Sequence, residues 1–177
     1  MTLHIKFTSK PFDKIETRCA AMTVYSDFRP LKGVSSLVDW RLNGRLSQVL
    51  KTNRFQGNFG ECLLMPAERR IRAQTILVMG LGPRGVFNES HVGATTQLLL
   101  EKMAQKKIGD FLVSYSDFIA DRFEWRNGVR LLVSKLHDFS EIGAVTLCEP
   151  DDCVRDAKRR HMDFGGNVDV AFEMMGS

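Results

Sequence analysis

A glycine-rich run, Gly80-Leu81-Gly82-Pro83-Arg84-Gly85, has the residue types and spacing best suited to chemistry in this sequence. It follows the apolar run Ile76–Met79, which predicts a strand, and it matches the G-x-G-x-x-G pattern. Glycines at such a turn let the backbone approach a phosphate or carboxylate closely, and Arg84 would supply the counter-charge. Gly80, Gly82, Arg84 and Gly85 are therefore candidate ligand-binding residues, and the alternative is that the glycines only turn the chain.

The surroundings of this run argue against a dinucleotide-binding site. The next predicted helix begins near Asn88, several residues later than a Rossmann turn allows. The acid about twenty residues further on, Glu101, falls inside that helix, although the fingerprint requires an acid at the end of the next strand. Pro83 also removes one backbone donor. We therefore expect no nicotinamide or flavin cofactor.

Other catalytic and metal-binding patterns are not found in the sequence. The histidines are far apart and form no H-x-x-x-H or H-E-x-x-H motif: His4, His91, His137 and His161. The spacing of Cys148, Cys153 and His161 fits no common zinc module, so buried thiols are the simpler interpretation. No G-x-S-x-G is present. The acids Glu149, Asp151 and Asp152 are interpreted as a charged helix start. We predict no catalytic residue, metal or cofactor.

Composition limits the class of protein and its partners. The 177 residues are 44% hydrophobic and 26% charged, as expected for a soluble domain with one core. The net charge is +4, but the basic residues form three short clusters, Arg69–Arg72, Lys106-Lys107 and Lys158–Arg160, each near the end of a predicted element. We therefore expect no nucleic-acid site. Irregularly spaced cysteines, no signal core and no long apolar run predict a cytoplasmic protein without a membrane segment.

Apolar patterning predicts an alternating α/β domain. The predicted strands are Leu3–Phe7, Ala20–Tyr25, Glu61–Met65, Thr75–Met79, Phe111–Ser114, Val129–Leu136 and Ala144–Cys148. The first predicted helix runs from Ser35 to about Asn53 and opens on a Ser36/Asp39 capping box. The others run from an Asn88 N-cap to a Gly109 C-cap, over Ser116–Trp125, and from Pro150 onward. Strands that alternate with helices favour a mixed, mostly parallel sheet covered on both faces.

We place a single domain at residues 1–163. The final stretch, 164–177, is predicted to be a loosely attached tail, because Gly165-Gly166 marks a turn or the start of a flexible segment.

Several segments carry a resemblance to a known family. They are Asp39 with Leu42-Asn43-Gly44, the connection Phe55-Gln56-Gly57-Asn58-Phe59-Gly60-Glu61, and Ile76–Gly82. In this order they resemble the N-terminal domain of the cytosolic leucyl aminopeptidases, peptidase family M17, over about Val24–Gly109. The Gly60-Glu61 pair is kept, although the lysine-glycine-glutamate turn that usually follows the connection in the family is displaced here.

The resemblance implies a three-layer, macro-domain-like α/β fold. It also implies that catalysis lies elsewhere, since the family holds two divalent metals in a C-terminal domain with the signature Asn-Thr-Asp-Ala-Glu-Gly-Arg. That signature does not occur in this sequence, so no catalytic residue is carried over.

Two functions follow from the resemblance. The first is a non-catalytic oligomerisation, interaction or regulatory module, for which the apolar stretch Val168–Phe172 with Met174-Met175 is a candidate surface. The second is a macro-like binder of ADP-ribose or a phosphorylated nucleotide at Gly80–Gly85, with Asp27 as the acid for an adenine amino group. A metal-dependent aminopeptidase is the last of the three.

Overall fold

A computed structural model of the chain describes residues 2–120, 122–162 and 164–175. Its strands are β1 (Leu3–Thr8), β2 (Thr17–Val24), β3 (Cys62–Pro66), β4 (Ala73–Gly80), β5 (Asp110–Val113), β6 (Ala144–Cys148) and β7 (Val168–Glu173). Its α-helices are α1 (Gly33–Arg41), α2 (Arg45–Leu50), α3 (Glu89–Gln105), α4 (Tyr115–Phe118), α5 (Trp125–Leu136) and α6 (Asp151–Arg159). A short 3-10 turn, Phe12–Lys14, joins β1 to β2.

The strands form one sheet in the order β3-β4-β2-β5-β6-β1-β7. Neighbours are parallel, except that the edge strand β3 runs antiparallel to β4. One apolar cluster packs α3–α6 on one face of the sheet, and a second packs α1 and α2 on the other. The predicted three-layer, mixed and mostly parallel architecture is confirmed.

Local signals placed several elements correctly. The alternation of Leu3, Ile5 and Phe7 gives a strand with these side chains buried, and the apolar run within β4 is a central strand. Asn88 caps α3, because its side-chain oxygen accepts from the Ser90 N–H at 3.0 Å. This helix ends earlier than predicted, at Gln105, and the chain turns there at Lys107 (φ +54°) and not at Gly109.

The predicted strand Val129–Leu136 is wrong, because this segment lies in the helix α5. Its buried residues are Gly128, Val129, Leu132, Val133 and Leu136, which recur at the helical period of 3.6 and line one face. The two valines favour a strand locally, but this spacing buries the apolar face only in a helix. The predicted helix Ser116–Trp125 is limited to α4, and Asp121 within that range lies outside the described residues.

The single helix predicted after Ser35 is two helices. Asn43 (φ +55°) and Gly44 (φ +77°) take left-handed conformations that end α1 and start α2. The predicted capping box is wrong, since α1 begins at Gly33 after Lys32 without a side-chain cap. Asp39 instead caps the next helix, because its carboxylate accepts from the Ser47 N–H at 3.0 Å.

The stretch predicted as a loose tail holds an edge strand. β7 pairs in parallel with β1, and the rings of Phe172 and Phe164 stack on the buried Phe7 with centroids 5.3 and 6.3 Å away. The alternation of Val168, Val170 and Phe172 is thus a strand pattern, and these side chains pack partly against the core while Met175 is 63% exposed. The boundary at residue 163 stays a prediction, as Asp163 lies outside the described residues.

Candidate functional site

A cleft of about 580 Å³ lies beyond the carboxyl ends of the parallel strands. It is lined by residues that follow β2, β4, β5 and β6, which is where open α/β sheets bind ligands. The polar and charged groups among them are Thr23, Lys32, Ser35, Arg84, Ser114, Ser116 and Asp117.

Of the five predicted site residues, Arg84 lines this cleft and the other four are not among its lining residues. The Arg84 guanidinium lies over the Phe28 ring, 4.4 Å from its centroid, and the Lys32 ammonium lies 5.6 Å from the same centroid. Asp27 is beside Arg84, since its carboxylate accepts from the Arg84 backbone N–H at 2.8 Å. Asp27 is thus held against the glycine run by a bond within the chain, and its role as the acid for an adenine amino group stays a prediction.

The predicted glycines pack and turn the chain. A methyl group on Gly80 would lie 2.1 Å from the Asn58 carbonyl oxygen, so the two backbones touch here. Gly82 has φ +73°, and its N–H donates to the Gly57 carbonyl oxygen at 2.9 Å. Gly85 has open space around it. The connection that carries the family resemblance therefore lies directly against the glycine run.

Glu61, at the end of that connection, fills an anion-binding turn. One carboxylate oxygen accepts from the N–H groups of Gln56, Gly57 and Asn58 at 2.9, 2.9 and 3.0 Å. Although partial burial raises the pKa of Glu61, the three N–H donors lower it below the ordinary value. This turn is thus already occupied by a carboxylate of the chain itself.

Two further acids occupy donors in and beside the cleft, and sequence reasoning missed both roles. Glu149 accepts from the Tyr115 N–H at 2.5 Å and the Ser116 N–H at 3.2 Å. Asp117 accepts from the Val34 N–H at 3.4 Å at the start of α1, where a methyl on Gly33 would lie 1.9 Å from its oxygen. Both contacts join residues more than thirty positions apart, so no local pattern indicates them.

Glu149 is buried, with 3% of its surface exposed. Burial raises the pKa of its carboxyl to about 7, and the hydrogen bonds from Ser116 and Tyr115 oppose that rise only in part. The interpretation of Glu149 as part of a charged helix start is therefore wrong, since α6 begins at Asp151 and Glu149 is buried before it. It precedes α6 and fixes the loop that follows β5.

The free edge of β3 is a second candidate site. The Gly80 N–H donates to the Glu61 carbonyl oxygen, and the Ala67 N–H donates to the Gln74 carbonyl oxygen. The odd-numbered residues of the β3 region are therefore the ones whose backbone groups are hydrogen-bonded to β4. Because an antiparallel strand alternates its bonding side, the N–H groups of Cys62 and Leu64 point away from the sheet. No strand covers them among the described residues. The Leu64 side chain is 42% exposed, and that of Phe59, just before β3, is 46% exposed.

The part of the chain that the structure describes holds no cluster of three His, Cys, Asp or Glu residues able to bind a metal ion. Burial raises the pKa of the Cys148 thiol to about 12 and that of the Cys153 thiol to about 11. No helix in the described ranges combines the length and apolar character that crossing a bilayer requires.

A family model described as the cytosol aminopeptidase family, N-terminal domain, matches residues 24–139, which is more than half of the chain. The chain belongs to this family. This cytosol aminopeptidase N-terminal domain is 23% identical over 111 residues to a probable cytosol aminopeptidase of Sulfurihydrogenibium sp. (strain YO3AOP1), covering 63% of the chain and 22% of the relative. It is 25% identical over 138 residues to a probable cytosol aminopeptidase of Pseudomonas syringae pv. tomato, covering 78% of the chain and 27% of the relative. The domain thus spans roughly a quarter of the length of these curated relatives.

Solved structures similar to this domain fall into two groups. The macrodomain of Mycobacterium tuberculosis DarG superposes with a TM-score of 0.67 at 15% identity, over 82% of this chain and 97% of that one. A mutant tomato leucine aminopeptidase gives 0.62 at 13% identity, over 90% of this chain and 35% of that one. The Oceanobacillus iheyensis macrodomain solved with ADP gives 0.63 at 14% identity, over 83% of this chain and 82% of that one. At these identities the likeness shows a macrodomain-like fold.

Proposed function

We propose that this domain is a non-catalytic interaction module of the cytoplasm that binds a protein partner through the free edge of β3. The observation that carries this proposal is that the N–H groups of Cys62 and Leu64 point outward, whereas three N–H groups in and beside the strand-end cleft, those of Val34, Tyr115 and Ser116, donate to carboxylates of the chain. An edge strand with free backbone groups can accept an added strand. Family membership supports the proposal, because the named relatives are larger proteins of which such a domain is a part.

The sequence of β3 favours this use. Its five residues, Cys-Leu-Leu-Met-Pro, carry no charge, whereas edge strands that avoid pairing usually carry lysine or an inward charge. Pro66 falls in the outward register and blocks pairing at one end only. An added strand can thus bond to the N–H groups of Cys62 and Leu64 but finds no donor at Pro66, which limits the length over which it pairs with β3.

Leu64→Pro tests the proposal, because it removes an outward donor that the sheet does not use. A fluorescein-labelled ten-residue peptide of alternating valine and threonine serves as the probe in fluorescence anisotropy. We expect Leu64→Pro to weaken its binding by about tenfold or more, while the free energy of unfolding changes by about 1 kcal/mol or less. Leu64→Ala is the matched control, since it removes the side chain and keeps the donor, and it should retain binding. Equal binding by all three proteins would overturn the proposal.

A second candidate function is binding of a phosphorylated nucleoside, such as ADP-ribose or ADP, in the strand-end cleft. Arg84 favours it, because its guanidinium lies in the cleft wall beside Phe28 and Lys32. A saturating ligand raises the melting temperature by mass action, so a thermal-shift titration with ADP-ribose and ADP is the direct measurement. Arg84→Ala should abolish any shift, and an unchanged shift in that variant would remove Arg84 from the site.

A further inference from the structure

The turn that joins β3 to β4, residues 67–72, is strongly basic and is here called the basic turn. Glu68 (φ +52°) and Arg69 (φ +59°) are consecutive left-handed residues, and the Arg70 N–H closes the turn on the Ala67 carbonyl oxygen at 2.9 Å. This conformation holds the side chains of Arg69, Arg70 and Arg72 on the surface, where all three residues are exposed.

Cations from three other parts of the chain meet the basic turn. Arg41, at the end of α1, pairs with the buried Asp13 at 2.6 Å, and Lys14 lies 3.9 Å from the same carboxylate. Arg45, at the start of α2, pairs with Glu68. The Arg72 N–H donates to the Asp13 carbonyl oxygen at 3.1 Å, which fixes the 3-10 turn against the basic turn.

Together these residues form a basic surface with an open groove. Its cations are Lys14, Arg41, Arg45, Arg69, Arg70 and Arg72, and its acids are Asp13 and Glu68, so the surface carries an excess of positive charge equal to the net charge of the chain, +4. A groove of about 570 Å³ runs along it, lined by Lys14, Arg69, Arg70 and Arg72 among others. The acids Asp13 and Glu68 also line the groove, so its lining carries four positive and two negative side chains. A groove with an excess of positive charge attracts a negatively charged partner.

Two features favour carboxylates over nucleic acid as that partner. The arginines next to the groove already bind carboxylates of the chain, Arg41 with Asp13 and Arg45 with Glu68, as expected for a guanidinium fork. The exposed aromatic beside the surface, Trp40, has one face covered by the Arg41 guanidinium, 4.7 Å from its ring centroid. Sites for single strands of nucleic acid rely on successive open aromatic faces.

The position of the groove links it to the free edge of β3. β3 runs directly into the basic turn. Strand pairing stops at Pro66, but a peptide that pairs with Cys62 and Leu64 and continues beyond Pro66 without pairing reaches the arginines. We propose that the partner is an extended peptide segment with a cluster of acidic residues at the end that lies beside the basic turn. This inference rests on the proposed function and names the chemistry of its partner.

A second copy of this chain fits the charge less well. Two β3 strands paired antiparallel about a two-fold axis near Leu64 would place the two basic turns at opposite ends of the joined strands. Neither turn would then neutralise the other, and the surface would remain uncompensated.

The test compares three labelled peptides that share one valine-threonine strand: one preceded by four glutamates, one followed by four glutamates, and one with four glutamines. We expect the wild-type domain to bind one acidic peptide about tenfold more tightly than the glutamine peptide at low salt, and the preference to vanish at high salt, where charges are screened. Arg70→Glu/Arg72→Glu should abolish the preference. Lys106→Glu/Lys158→Glu, the same charge change elsewhere, should keep it.

Four other outcomes would each overturn a specific part of this inference or of the proposed function. Equal binding of the acidic and glutamine peptides would overturn this inference and leave the proposed function intact. If no strand peptide binds but hexaglutamate binds in a way that depends on Arg70 and Arg72, the groove remains a site for acidic ligands and the proposed function fails. Tighter binding of a twenty-residue oligothymidine than of either acidic peptide would replace the acidic peptide with a nucleic acid. A dimer in sedimentation that Leu64→Pro dissolves would replace it with a second copy.

Discussion

Backbone N–H groups line both the strand-end cleft and the free edge of β3, but the two regions differ in how these groups are hydrogen-bonded. Around the cleft, Glu149 and Asp117 bind N–H groups of the loops, and Glu61 binds three more in the adjoining connection. At the edge, the outward N–H groups of Cys62 and Leu64 have no partner strand among the described residues. This chain thus uses backbone donors around the cleft for its own structure, and it leaves hydrogen-bonding capacity at the edge of β3.

This difference matters when a ligand is inferred from a likeness in fold. The cleft occupies the position where open parallel sheets bind ligands, and structures of similar fold have been solved with ADP. In this chain, however, the carboxylates of Glu149 and Asp117 already accept from backbone N–H groups in and beside the cleft. A second negative charge at the same donors would be repelled. The position of the cleft alone therefore does not assign a ligand. The acceptors that are already hydrogen-bonded to its backbone N–H groups must be compared as well.

The largest effect is expected where the glycine run meets the connection. A methyl group in Gly80→Ala would lie 2.1 Å from the Asn58 oxygen and 2.6 Å from the Gly57 carbonyl carbon, so the backbone must shift. We expect a loss of more than about 3 kcal/mol in the free energy of unfolding, measured by urea denaturation. Gly85→Ala, where the methyl enters open space, is the control and should change stability by about 0.5 kcal/mol or less. Similar losses in the two variants would contradict the packing role of Gly80.

The next effect concerns pH. The pKa of Glu149 is raised to about 7 in the folded protein, so between its ordinary value and 7 the folded state binds more protons than the unfolded state. Stability from this group is complete at low pH and falls as pH rises through 7. Glu149→Gln, which stays neutral, should remove about 2 kcal/mol of that fall, seen in urea denaturation from pH 4.5 to 8. An unchanged pH profile in Glu149→Gln would show that folding does not shift the pKa of Glu149.

Glu61 should behave in the opposite way. Its pKa is lowered by the three N–H donors, so its stabilisation is present above its ordinary value and is lost as pH falls below it. Glu61→Gln should therefore lower the melting temperature at pH 7 by a few degrees, on the order of 1 kcal/mol, and make little difference near pH 3. A constant difference between the variant and wild type across this range would exclude the charge of Glu61 as the cause.

The smallest effect tests the cleft itself. Asp117→Asn removes a negative charge but keeps a side-chain oxygen for the Val34 N–H. If the carboxylate repels anions, the variant should bind ADP about fivefold more tightly than wild type in isothermal titration calorimetry. Ser116→Ala, which changes a cleft hydroxyl without a charge, should not. Weaker ADP binding in Asp117→Asn would instead make Asp117 part of a ligand site.

Much of the fold follows from patterns that are local in the sequence. The apolar run of β4, the alternation in β1 and the Asn88 cap each depend on residues within a few positions, and each was predicted. The wrong strand at Val129–Leu136 arose because valine content outweighed the spacing of the buried residues. The strand β7 was missed because two glycines preceded it and its partner, β1, lies about 165 positions away.

The candidate site is less accessible to sequence reasoning for the same reason. The glycine run and Arg84 could be recognised, since the pattern is contiguous. Glu149 accepts from the loop after β5, and Asp117 accepts from the start of α1, so each hydrogen bond joins separate elements. In both cases the bond takes up a backbone N–H that no local sequence pattern marks as bonded. The basic surface is not visible in the sequence, where Arg69–Arg72 is one of three short clusters, because Lys14, Arg41 and Arg45 join it only in the fold.

The placement of β1 between β6 and β7 has a consequence for synthesis on the ribosome. β1 is translated before the other strands of the sheet, but its two neighbours, Ala144–Cys148 and Val168–Glu173, are translated after all of them. The strands β2 to β5 can pair with one another before β6 is made, whereas β1, with Phe7, has no neighbouring strand until Ala144–Cys148 is translated. The growing chain therefore carries an unpaired apolar strand over more than a hundred residues of translation, and exposed segments of this kind are prone to aggregation.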